Sequence, residues 1–98
     1  MKKITGEKEL KARYDNAKSF YGKAKVIVAE DGVYLKSYST IVCSIDKNGS
    51  FRRHWRGDKE HPNGYSSTTM RHINEFMRQY GIPESGKKFW DSLEVVGF

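Results

Sequence analysis

The spacing of apolar and polar positions changes period along the chain and divides it into elements. Residues 7–18 are rich in Glu, Lys, Leu and Ala, with Leu10, Tyr14 and Ala17 at steps of four and three, which predicts a short N-terminal helix with a narrow apolar stripe. From Lys23 to Ala29 the β-branched cluster Val26-Ile27-Val28 predicts a strand, and Glu30-Asp31-Gly32 a turn into a second strand over Val33 to Ser37. A third strand follows at Ser39 to Asp46. Asn48-Gly49 then supplies a tight hairpin turn into a fourth strand at Ser50 to Trp55. The breakers Gly57, Pro62 and Gly64 make Arg56 to Gly64 the longest loop. Beyond it the period becomes helical. Met70, Ile73, Phe76, Met77 and Tyr80 recur at three- and four-residue steps between the hydroxyl N-cap candidates of residues 65–69 and Gly81. A last short helix is expected from about Ser85, with Phe89, Trp90 and Leu93 inward. The expected architecture is α+β: a small antiparallel sheet of three to four strands packed on a main helix over about 67–80, with short N- and C-terminal helices.

Length bounds this further. At 98 residues the chain is one domain, 1–98, able to bury roughly 60–65% of its unfolded surface. Its apolar share of 37% is low, but two Trp, six Tyr and five Phe supply large buried areas, so a packed fold is expected over disorder. The lone Cys43 lies in the apolar run Thr40 to Ile45 and has no partner for an internal disulfide, which points to a reducing compartment. Lys2 and Lys3 lead into Glu7, Lys8, Glu9 and Lys11 with no apolar segment of a leader, and no run approaches the roughly 18 residues of a membrane span. The expected location is the cytoplasm, with no membrane contact. Asn48-Gly49-Ser50 and Arg56-Gly57-Asp58 then read as chance matches to extracellular signals.

Charge adds a candidate surface. The formal net charge is +6, with four bases and no acid between Lys47 and Arg56, a balance that favours polyanionic partners. In Arg52-Arg53-His54-Trp55-Arg56, preceded by Phe51, bases interleave with aromatics as they do on surfaces that track phosphates and stack on unpaired bases. On a strand, Phe51, Arg53 and Trp55 share one face and Arg52, His54 and Arg56 the other. The plainer reading sends Phe51 and Trp55 into the core, leaves Arg52 and Arg56 solvated and lets Arg53 snorkel at an edge. A second candidate is an anion site at the start of the main helix, formed by Ser67 and Thr68 with Arg71 nearby.

Catalytic and metal arrangements find less support. His54, His61 and His72 stand seven and eleven residues apart and match no tight ligand pair, so no metal and no cofactor are expected. His72 flanks the buried stripe of the helix, where a ring nitrogen bonds a neighbouring backbone or hydroxyl group. The Ser66–Thr69 hydroxyls suit helix capping better than a nucleophile, since no Gly-x-Ser-x-Gly elbow accompanies them. Cys43 reads as buried and inert. Glu30-Asp31 and Asp58/Glu60 fall in turns and form no acid–base pair, and no Walker or dinucleotide loop occurs.

In order along the chain, SFYGKAKVI, LKSYSTIVCSI, a tryptophan-containing strand and YSSTTMRHINEFMRQYG resemble a family of short, uncharacterised proteins of phages and prophages of Gram-positive bacteria. The resemblance covers about residues 19–82, and STT-x-RHI-x-EF is its most specific part. It implies a phage-type accessory protein, a class that includes stoichiometric inhibitors of restriction or CRISPR effectors. The expected function is therefore binding without catalysis, with nucleic acid or a host nucleic-acid-handling or defence protein as partner. A structural or self-associating module using the apolar C-terminal tail is the alternative. A small nuclease using His54 or His61 ranks last, and the sequence leaves the oligomeric state open.

Overall fold

The computed structural model describes residues 1–57, 59, 66–84 and 86–98. The fold is α+β: strands β1 (Ile4–Glu9), β2 (Ala24–Ala29), β3 (Gly32–Ser37), β4 (Thr40–Asp46) and β5 (Phe51–Arg53), then helices α1 (Ser67–Gln79) and α2 (Gly86–Ser92). The strands pair antiparallel in sequence order, β1-β2-β3-β4-β5.

Strands β2 to β4 follow from their alternation. Val26, Leu35 and Cys43 turn toward the helices and join one core with Ile73, Phe76, Met77 and Trp90. Ile27 and Tyr34 face the other way and form, with Ala29, Met1 and Ile41, a smaller cluster on the far side of the sheet. The alternation breaks once. Leu35 pairs with Cys43 but Lys36 with Ile41, so Val42 is an inserted residue, and both Val42 and Cys43 are buried. Two glycines are dictated by geometry. Gly49 has φ 86° in the β4–β5 turn, where Asp46 accepts the Asn48 and Ser50 N–H groups, both at 2.9 Å. Gly32 has φ 148°, and a Cβ there would meet the Ile45 carbonyl oxygen at 2.3 Å.

Helix α1 begins at the expected place because Ser66 caps it, its hydroxyl accepting the Thr69 N–H at 3.0 Å. It buries Met70, Ile73, Phe76 and Met77 against the sheet. Of α2, Trp90 is fully buried, and Phe89 lies 5.9 Å from Phe51. The expected loop at Arg56 to Gly64 and the helix start at Ser85 fall wholly or partly outside the described residues.

The N-terminal helix expected at 7–18 is not formed. Residues 4–9 are instead β1, the edge strand of a sheet one strand larger than expected, paired from Gly6↔Val28 to Glu9↔Lys25. Residues 10–23 form a strap laid along α1. Only Leu10 of the supposed stripe is deeply buried, whereas Tyr14 is 58% exposed. The physical reason lies on α1. Glu75, only 2% exposed, accepts the N–H groups of Tyr14 (2.8 Å) and Asp15 (3.0 Å) on one carboxylate oxygen and the Gln79 amide (2.7 Å) on the other. Those N–H groups bond across the fold, and ladder bonds to β2 outweigh the modest helix propensity of residues 7–9. Asp15 then accepts the Ala17 N–H at 2.9 Å and forms a two-pronged ion pair with Arg71.

Glu75→Ala leaves the Tyr14 and Asp15 N–H groups without their acceptor, and a loss of about 2–3 kcal/mol in urea denaturation is expected. Hydrogen exchange should accelerate at these two amides before the β3–β4 core. Unchanged exchange there would show that Glu75 does not hold the strap.

Candidate functional site

The segment 52–56 does not act as one basic strip, because β5 and the chain beyond it deal its side chains to different places. Arg52 is exposed on the sheet face away from the helices and donates to Asp46 at 3.1 Å. Arg53 points into the protein. It is 7% exposed, donates to the carbonyls of Trp55 and Trp90 (both 2.9 Å), and stacks its guanidinium 4.7 Å from the Trp90 ring centroid. It ties β5 to α2 and is sealed from solvent, contrary to its place in the expected contact surface. The core-facing parity it shares with Phe51 is the reason, since the Trp90 carbonyl and ring meet its charge there. Trp55 is half-buried and Arg56 exposed.

His54 belongs to a depression of about 280 Å³ on the same outer sheet face. The Val96 carbonyl can only accept, so His54 Nδ1 carries the proton and donates to it at 2.7 Å. Nε2 of the neutral ring accepts the Ser44 hydroxyl at 2.7 Å. Burial lowers the His54 pKa, favouring this neutral form. Tyr34 stacks at 5.9 Å and Phe98 packs edge-on at 5.2 Å. Burial and the hydrogen bond to Asp31 push the Tyr34 hydroxyl up to about 12. Ser44 and His54 have the contact of a nucleophile and its base, but Ser44 sits mid-strand between β3 and β5, where the ladders consume the backbone N–H groups that would stabilise an oxyanion. The cluster instead fastens the C-terminal stretch: Val96 N–H donates to the Arg53 carbonyl at 2.8 Å and Val95 bridges Arg53.

The anion site expected at Ser67, Thr68 and Arg71 is not assembled. Ser67 and Thr68 are exposed in the first turn of α1, but the Arg71 guanidinium is committed to Asp15, whose carboxyl it holds down at about 2. The buried hydroxyls have a structural task. Ser66, Thr69 and Ser37 form a chain of hydrogen bonds (3.1 and 3.3 Å) ending on His72 Nδ1 at 2.8 Å, as expected of a histidine flanking the stripe. Cys43 is fully buried, and burial drives its thiol pKa up. His61 lies outside the described residues. Among the described residues no three His, Cys, Asp or Glu side chains converge, and no helix is long and apolar enough to cross a membrane.

What the fold does bring together is a groove of about 230 Å³ where the β3–β4 turn meets the start of α1. Tyr38 and Trp55 line it, together with exposed Ser39, half-buried Thr40 and the buried Ser37 and Thr69. Tyr38, in the turn, is 52% exposed at φ 56°, a left-handed conformation that costs a side-chain-bearing residue about 1 kcal/mol. Its N–H donates to the Lys23 carbonyl at 2.7 Å, which helps hold it there. Lys23 in turn sets its ammonium 5.8 Å from the Tyr38 ring centroid. The adjoining turn puts Tyr21 at φ 53° and 78% exposed, closed by Lys23 N–H to the Phe20 carbonyl at 2.9 Å. Two tyrosines are thus presented to solvent in left-handed backbone at one end of the sheet. Trp55 alone of these aromatics was singled out from sequence. The only sequence trace of the others is a bulky Tyr at a turn, Tyr21-Gly22 and Ser37-Tyr38-Ser39.

A model of a family of unknown function, DUF8033, matches residues 8–92. The chain belongs to this family. The match spans β2 to β5, both helices and every residue of the groove. No curated protein and no solved structure matches the chain.

Two outcomes follow from the geometry. Arg53→Met removes the guanidinium that donates to the Trp55 and Trp90 carbonyls and should cost about 2–3 kcal/mol in urea denaturation, whereas exposed Arg56→Met should stay within about 0.5 kcal/mol. Equal effects would place Arg53 at the surface. Burial lowers the pKa of His54 and His72, so below the ordinary imidazole value of 6.5 the unfolded chain binds protons that the folded chain resists. Stability should be complete above that value and decline as pH falls through the lowered folded values. A second decline follows as pH drops from the ordinary 3.8 of Asp15 through about 2. An unfolding midpoint in urea that does not move between neutral pH and about pH 5 would contradict the first part.

Proposed function

We propose that this protein is a non-catalytic binding module that takes an unpaired nucleic-acid strand into the groove between Tyr38 and Trp55. The observation that carries the reading is the groove: exposed Tyr38 and half-buried Trp55 both line it, Ser39 and Thr40 add accessible hydroxyl groups to the lining, and Lys23 stands against the tyrosine. Aromatic faces accept any base by stacking, and hydroxyls meet base edges as donor or acceptor. Lys23 and exposed Arg56, beside Trp55, supply positive charge for the phosphates, and the net charge of +6 favours approach. A base lying flat in a groove must be unpaired, so a single strand is selected over a duplex. Holding tyrosines outward in a strained backbone fits a surface kept for contact.

The likeness to short phage and prophage proteins supports a stoichiometric role in a host cytosol. There the chain would occupy strands that host nucleic-acid-handling or defence proteins also engage, anti-CRISPR-like inhibition included. The buried thiol of Cys43 suits such a reducing compartment.

Fluorescence anisotropy with labelled single strands and a duplex of equal length, across a salt series, tests the reading. Single strands should bind more tightly, with affinity falling as salt rises. Tyr38→Ala should weaken single-strand binding by about tenfold. Absence of binding at low salt, or equal affinity for duplex and single strand with no effect of Tyr38→Ala, would sink it.

A further inference from the structure

We infer that the bound strand continues out of the groove along the strap and over α1 to Tyr14 and Arg78, so that the site accommodates several nucleotides and not one. The inference rests on the groove reading above and extends it from a single stacked base to a track.

The strap runs antiparallel to α1, shown by its successive contacts. The Lys11 carbonyl accepts from Gln79 at 2.6 Å, and Glu75 holds the Tyr14 and Asp15 N–H groups. Asp15 pairs with Arg71, and the Phe20 ring meets His72 at 4.7 Å, with Tyr38 at 5.9 Å from that same imidazole. The strap therefore leads from the C-terminal half of α1 to the groove at its N-terminal end. The large apolar side chains left exposed on the described molecule are Ile4, Tyr14, Tyr21, Tyr38, Val96 and Phe98. The three tyrosines among them all lie on this strap or the turn beside it.

The pairing of ring and base repeats at both ends. Lys23 sits 5.8 Å from the Tyr38 ring and Arg78 sits 6.0 Å from the Tyr14 ring. Tyr14 and Arg78 together stand between two shallow depressions, one bordered by Arg71 and Asn74, the other by Gly81, Ile82 and Pro83. Lys11, Arg13 and Lys18 are exposed on the strap itself. The carboxylates it crosses are occupied, Asp15 by Arg71 and Glu75 by the strap's own N–H groups. From Thr69 at the groove to Glu75 under Tyr14, six residues of helix span about 9 Å. At about 3.4 Å per stacked nucleotide that is about three units between the two aromatic ends. Because Glu75 fixes the backbone of Tyr14 and not its ring, Tyr14→Ala removes the stacking face while leaving the strap pinned.

A length series of oligothymidylates, from a mononucleotide to about 12 units, tests the track by anisotropy competition. Affinity should climb from one to about four nucleotides, enough to reach both aromatic ends, and then level. The double variant Tyr14→Ala, Arg78→Ala should bind a dinucleotide as the wild type does. It should lose about tenfold on the longest oligomer and reduce the slope of log affinity against log salt by about one. Full affinity already at two nucleotides, or a double variant indistinguishable from wild type on the longest oligomer, overturns the track; if Tyr38→Ala still weakens every length, the groove reading survives. If Tyr38→Ala is also silent at every length, both fall together.

Discussion

Glu75 is the residue on which the arrangement of the N-terminal quarter depends. A carboxylate at 2% exposure loses its hydration, and the loss must be offset by donors in place. It finds them in the Tyr14 and Asp15 N–H groups and the Gln79 amide. Satisfying that one carboxylate draws residues 10–18 across α1 in irregular form, which frees residues 4–9 to extend the sheet on the edge of β2. It also sets Asp15 where Arg71 can grip it, and that second pair takes Arg71 out of any anion pocket at the helix start.

Coverage of the sheet follows from the same constraint. A helix of 13 residues is narrow against five strands, so α2 and the strap complete the layer, the strap with Leu10 and Phe20 and α2 with Trp90. Burying Trp90 beside β5 gives Arg53 a ring and a carbonyl to satisfy its charge from inside. The bulge at Val42 serves the opposite corner, where the Val42 carbonyl receives both the His54 and Trp55 N–H groups (2.9 and 3.3 Å). The groove between Tyr38 and Trp55 opens beside that distortion.

The chemistry the surface offers is correspondingly divided. The outer sheet face spends its polar groups internally: Tyr34 on Asp31, Ser44 and Val96 on His54, Arg52 on Asp46. The strap and the turns beside it leave tyrosine rings outward with bases against them. Membership of a family of unknown function does not choose between these surfaces, and the case for the strap and groove rests on that contrast in how the side chains are employed.

By itself the sequence determined what local periodicity and turn chemistry encode. The strands β2 to β4, the Asn48-Gly49 hairpin, helix α1 from its hydroxyl-rich start to Gly81 and the inward Trp90 were all legible, as were the buried setting of Cys43 and the hydroxyl partner of His72. Each of these depends on neighbours a few residues away. Only the tertiary structure decided the fate of residues 7–18, because their helical spacing was outweighed by N–H groups bonding to β2 and to a carboxylate about 60 residues on. It likewise decided which bases are available. Arg52, Arg53, Arg56 and Arg71 look alike along the chain, yet Asp46 and Asp15 hold two of them and Trp90 encloses a third. A charge's freedom is set by what lies across the fold from it, and a one-dimensional pattern of bases and aromatics carries no record of that.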